Sequence, residues 1–313
     1  QRKSVCCVRQ LHVSSFIAAS RIPARSPACV PRLPERAGWE RRASPLSAPE
    51  TRCYPQHMTR SAGPSLFAGI ASFLASATRG RFRLIIGYED PRCDELARDG
   101  AAIIEAANGH ALLMPRALSA PLTAFAVRMV MADGAVYVRA SGEALIYLGG
   151  RAVERTREGA PASETELALI DQAVAGLGED PALPRAEGGW EFVGEGMIGA
   201  YVDRAVSRLS DLGSRSSVPV RVDEASGLLA TLLERLGVPI DEAGAGLALS
   251  VSTDGRTLAS SLPEDSVRQC LAHALTTNPA APSGPGQYCV DPAFVLDADA
   301  ITAGAALALM TAR

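Results

Sequence analysis

The 313-residue chain is 47% hydrophobic and 21% charged, enough apolar material for two domains, each with its own core. Lys3 is its only lysine, so it has neither a lysine for a Schiff base in the body nor a glycine-rich loop ending in Lys-Ser/Thr; P-loop enzymes, protein kinases and pyridoxal-phosphate enzymes are excluded. Residues 1–60 carry eleven basic and three acidic side chains, and the remainder twenty basic against thirty-one acidic. The body is therefore acidic, which argues against a nucleic-acid-binding surface.

Residues 1–60 are rich in Arg, Ser and Pro without sustained periodicity and are expected to be a disordered head. The composition fits an organellar transit peptide; the favoured reading is upstream or non-native sequence, with the ordered part starting near Met58. From residue 65 the pattern turns regular. Residues 65–77 have apolar positions at helical spacing. Residues 82–88, "FRLIIGY", form a continuous apolar run that predicts a buried parallel strand. Residues 93–109 predict an amphipathic helix closed by Gly109. Strand, helix and strand follow at 110–115, 121–132 and 134–140. This alternation predicts an α/β sheet covered on both faces.

A further helix is expected at 163–177, opened by a Ser-x-x-Glu capping box, and another at 197–212. "GSRSS" (213–217) reads as a linker. Beyond it, residues 218–240 read as strand, turn, helix and glycine stop, 246–253 as a strand, and 263–277 as a helix. Residues 279–292 read as an irregular loop. The chain thus divides into a head (1–60), a first βαβ-type domain (61–215) and a second (216–313), with mainly parallel sheets. The longest apolar run, 301–310, is too short to span a bilayer and predicts a buried helix. Seven cysteines without CxxC spacing predict reduced thiols and a cytoplasmic protein. His12, His57, His110 and His273 lack zinc-ligand spacing, and both His110 and His273 read as structural.

The order of segments resembles the first domain of the α-D-phosphohexomutases, the phosphoglucomutase/phosphomannomutase family. Gly87-Tyr88-Glu89 is similar to that family's Gly-Tyr-Asp strand end. Ala120-Pro121-Leu122 with Ala126-Val127 resembles its Pro-opened helix, Ala140-Ser141 its Thr-Ala-Ser-His-Asn-Pro loop, and residues 146–150 the strand after that loop. The similarity covers residues 65–215 and continues more weakly through 218–277. The resemblance implies phosphoryl transfer on hexose phosphates through a phosphoserine, with Mg²⁺ neutralising charge. Ser141 is then the candidate nucleophile and a metal ligand, Asp254 the second metal ligand, and Arg92 and Arg256 the candidate phosphate-binding residues.

This chain departs from the family pattern in specific ways. Gly142-Glu143 stand where His-Asn-Pro should follow the serine. The three-carboxylate metal loop is reduced to Asp254 within "SVSTDGR", residues 250–256. The sugar-recognition Gly-Glu-Met-Ser and the terminal phosphate clamp are missing. On local grounds Ser141 is a turn residue and Asp254-Gly255 a β-turn. A catalytically inactive, truncated homologue that binds sugar phosphates or a protein partner is the alternative reading.

Overall fold

The computed structural model describes residues 59–78, 80–178, 181–212, 218–241, 246–272 and 284–311. Residues 1–58 of the head, the expected linker at 213–217 and His273 lie outside the described residues.

The first sheet begins where the head was expected to end: β1 (Arg60–Ser61) precedes α1 (Pro64–Thr78) and β2 (Arg83–Tyr88). Then come α2 (Asp94–Ala106), β3 (His110–Leu113), α3 (Ala120–Met129), β4 (Gly134–Val138) and β5 (Glu143–Leu148). The series closes with β6 (Ala160–Pro161), α4 (Glu164–Ala175), β7 (Glu191–Phe192) and α5 (Gly196–Leu209). The strand order is β1-β5-β4-β2-β3-β7, with β6 on β5. Strands β4, β2, β3 and β7 run parallel, and β5 returns antiparallel to β4.

Five consecutive residues of β2 are buried, because this central strand is covered on both faces. Leu84 and Ile86 pack with α1, α2 and α4, while Ile85 faces the opposite core with α3 and α5. Each such side chain contributes about 1.5–3 kcal/mol by leaving water. The capping box forms as expected: Glu166 N–H donates to Ser163 Oγ, and Ser163 N–H to Glu166 Oε2 at 2.7 Å. The stop of α2 differs from expectation. The left-handed residue is Asn108, with φ of 61°. Gly109 is instead needed for closeness, since a Cβ there would lie 2.7 Å from Phe82 and Ile104.

After the linker, β8 (Val220–Asp223), α6 (Leu228–Leu236) and β9 (Leu247–Val251) make a βαβ unit, with β8 and β9 parallel. Strand β10 (Leu258–Ser260) returns antiparallel to β9, completing a three-stranded sheet. Helices α7 (Glu264–Leu271) and α8 (Ala300–Met310) follow. Every residue of α8 from Ala300 to Leu309 is buried, which explains its apolar character all round. The core that lies against α3 and α5 runs without a break into the residues of β8, β9, α6 and α8. No helix among the described residues is long and apolar enough to cross a membrane.

Candidate functional site

The carboxyl ends of parallel strands are where open α/β sheets place ligands, and two hairpin turns meet there. The first joins β4 to β5. Gly142 N–H donates to Arg139 O at 3.0 Å, and Arg139 N–H to Glu143 O at 2.8 Å. Gly142 takes φ of 81°, so the apolar pattern breaks at Ala140-Ser141-Gly142 because the chain reverses there. Ser141 is exposed at the tip, and its Oγ donates to Glu143 Oε2 at 3.2 Å.

The second turn, residues 252–257, joins β9 to β10. Gly255 N–H donates to Ser252 O at 2.7 Å, with Gly255 at φ of 76°. Asp254 Oδ1 accepts from Ser252 Oγ at 2.6 Å and from Arg256 N–H at 3.1 Å, so its carboxylate organises its own turn. The carbonyls of this turn serve two helix starts. Asp254 O accepts from Ala120 N–H of α3 at 2.9 Å, and Gly255 O from Ala300 N–H of α8 at 3.0 Å. These are amide donors that a helix cannot satisfy internally.

Glu89, just past β2, ties the turns together: Oε2 accepts from Ala140 N–H at 2.8 Å, and Oε1 from Thr253 Oγ1. Arg139 makes a second link, with Nη1 3.1 Å from Glu143 Oε2 and Nη2 3.5 Å from Asp254 Oδ2. Helix α3 starts close by because Gly87 leaves room; a Cβ there would fall 2.2 Å from Thr123 Oγ1. Beneath the turns, Ser119 Oγ, Thr123 Oγ1, Tyr137 OH and Arg139 Nε are buried without a hydrogen-bond partner among the described residues. Burial raises the Tyr137 phenol, and the carboxylates of Glu89 and Asp254 raise it further.

The fold therefore brings Ser141 and Asp254 to one place. It treats the two candidate arginines differently. Arg92 is exposed and pairs with Asp90 of its own turn at 2.9 Å. Its hydrogen bonds to the Asp90 carboxylate lower that group to about 2. Arg256 turns inward. It is 5% exposed, and its Nε and Nη2 each lie 3.1 Å from Asp297. Asp297 also accepts from Tyr147 OH at 2.8 Å. Burial opposes the Arg256 charge, but the Asp297 carboxylate overrides it and holds the guanidinium well above its ordinary value. Glu89, Arg139 and Asp297 complete the site, and sequence reasoning gave them no role. Glu89 and Arg139 left a signal, as departures from an aspartate and a threonine in the resembled motifs; Asp297 left none.

The donors present do not fit Mg²⁺. That ion demands near-octahedral oxygen ligation. Asp254 already accepts two hydrogen bonds and faces a guanidinium. Among the described residues, no three His, Cys, Asp or Glu side chains gather into a metal-holding group.

No family model matches the chain. Over 131 residues it is 31% identical to the Probable phosphomannomutase of Haemophilus influenzae, a stretch covering 40% of this chain and 26% of that relative. The chain thus spans only a minor part of the curated relative's length. Its fold matches a crystal structure from Thermus thermophilus assigned to the phosphomannomutases, with TM-score 0.63 and 17% identity over 82% of this chain and 77% of that one. It also matches a phosphoglucomutase/phosphomannomutase family protein from Burkholderia thailandensis, with TM-score 0.55 and 12% identity over 80% and 72%. The chain is thus α-D-phosphohexomutase-like in both sequence and fold.

Proposed function

We propose that the protein serves phosphohexomutase chemistry in carbohydrate metabolism, moving a phosphoryl group on hexose phosphates with Ser141 as its carrier. The observation that carries this reading is Ser141 Oγ, exposed on a turn at the carboxyl end of β4 and hydrogen-bonded to a carboxylate. Phosphoryl transfer asks a protein mainly for positioning and electrostatic stabilisation, and a hydroxyl beside a proton acceptor supplies the nucleophile. Ser141 Oγ attacks a phosphorus of a hexose bisphosphate and forms a new O–P bond. The bond from that phosphorus to the sugar oxygen breaks, the Ser141 proton passes to Glu143, and the sugar oxygen leaves as a hydroxyl after taking a proton from water. Transfer of that phosphoryl group from Ser141 to the free hydroxyl of the isomeric hexose monophosphate restores the bisphosphate and the serine, and the cycle shifts phosphate between C1 and C6.

A second reading has its own observation. Glu89, Glu143 and Asp254 surround the turn, and Arg256 is spent on Asp297. Three carboxylates around the turn and a committed arginine disfavour a phosphate dianion there, and favour a homologue that keeps the fold and does not turn over.

Incubation with ³²P-glucose 1,6-bisphosphate separates the two, with the label mapped by peptide mass spectrometry. The carrier reading expects label on Ser141 that is lost in Ser141→Ala. Folded protein that takes up no label leaves the second reading.

A further inference from the structure

We infer that Arg139 is the resident cation of this site, standing where the family resemblance would put a divalent metal. This inference deepens the reading of Ser141 as carrier and rests on it only for the phosphate that Arg139 would meet. Arg139 ends the β4 side of the turn, two residues before Ser141. Its Nη1 reaches Glu143 Oε2 at 3.1 Å, the same oxygen that accepts from Ser141 Oγ at 3.2 Å. Its Nη2 reaches Asp254 Oδ2 at 3.5 Å, on the other turn. One guanidinium therefore bridges the carboxylate beside the candidate nucleophile and the sole carboxylate of the residual metal loop.

The rest of the geometry holds it in place. The Arg139 side chain is 30% exposed and its Nε is buried, so the stem is set in the wall while the end of the guanidinium lies between the turns. Glu89 clamps both turns through Ala140 N–H and Thr253 Oγ1, which fixes the gap that the guanidinium spans. A divalent cation entering between Asp254 and Glu143 would meet a fixed like charge. A guanidinium is also suited to phosphate, because its planar fork donates two parallel hydrogen bonds to phosphate oxygens. A phosphoryl group on Ser141 would form beside those donors, and Arg139 would supply the positive charge from within the chain.

The test uses the full chain and Mn²⁺ as a spectroscopic probe, read by electron paramagnetic resonance. Wild type is expected to hold no Mn²⁺ that Asp254→Asn removes. Arg139→Met is expected to gain a bound ion that the double variant Arg139→Met/Asp254→Asn loses, while Arg139→Lys keeps the charge and excludes the ion. In the labelling assay, phosphorylation of Ser141 in wild type should be unchanged by EDTA. Arg139→Met should slow it on the order of 10²–10³-fold, as loss of one preorganised electrostatic contact does. Asp254-dependent Mn²⁺ binding by wild type would overturn the inference, and so would a folded Arg139→Met protein that gains no ion. If Arg139→Met does not fold, wild type against Asp254→Asn still decides. The expected Mn²⁺ pattern without any label on Ser141 would sink the carrier reading and leave Arg139 as the resident cation.

Discussion

Two hairpin turns meet at the carboxyl end of the larger sheet, and each has a glycine of positive φ, Gly142 at 81° and Gly255 at 76°. Around Gly142 there is open space; a Cβ there would have no atom within 4 Å. Around Gly255 there is none to spare, because a Cβ would lie 2.5 Å from Ser119 Cβ and 3.2 Å from Pro121 Cδ. The turn at 139–142 presents Ser141 to solvent. The turn at 252–257 is a wedge whose carbonyls meet two helix starts and whose Arg256 anchors a buried ion pair. The same local device thus serves presentation in one place and docking in the other, and only the surroundings separate them.

The largest expected effect is on the docking side. Arg256→Met leaves the Asp297 carboxylate, which is 0% exposed, facing a neutral side chain, and should cost about 3–5 kcal/mol in denaturant unfolding. Gly255→Ala combines a left-handed backbone with a clash and should cost about 3 kcal/mol. Gly142→Ala carries the backbone penalty alone, about 1 kcal/mol. If these two glycine variants lose the same stability, the contrast between the turns collapses. Ser141→Ala should leave the melting temperature unchanged, and a drop of several degrees would give that serine a structural role the geometry does not assign.

The smallest effect belongs to the exposed pair beyond β2. Asp90 is held down to about 2 by the side-chain hydrogen bond from Arg92, against an ordinary 3.8. A depressed carboxylate contributes its stability above the ordinary value and loses it as pH falls toward the depressed one. For so exposed a pair this contribution is screened by solvent. In Arg92→Ala, which keeps the backbone N–H hydrogen bond to Asp90, the Asp90 carboxyl signal followed by NMR should rise from about 2 towards 3.8, with no change in unfolding. A measurable loss of stability would mean that the pair is more than a surface contact.

Much of the architecture was legible before folding because it rests on neighbours in sequence. The apolar run at 82–88 read as a covered strand and formed one at Arg83–Tyr88, Ser163 and Glu166 satisfy each other three residues apart, and Gly237 ends α6 in the left-handed region. Strands β1, β6 and β7 escaped, since two residues carry no period, whereas the strand after the Asp254-Gly255 turn formed as the hairpin reading expected. The stop at Asn108 escaped because Gly109 next to it matched the usual signal.

The candidate site divides along the same line. Ser141 was found through a local motif, and its turn through a local Ser-Gly pattern. Glu89 joins residues 51 and 164 positions away, Arg256 finds Asp297 41 positions on, and Arg139 reaches Asp254 from the other sheet. Short-range hydrogen bonding and apolar periodicity are set by residues a few positions apart, so the sequence by itself determined the elements and their alternation. Which charges face one another depends on chain packing across the two sheets. Only the tertiary structure therefore decided that one candidate arginine is exposed, another is buried, and a third, Arg139, stands between the carboxylates.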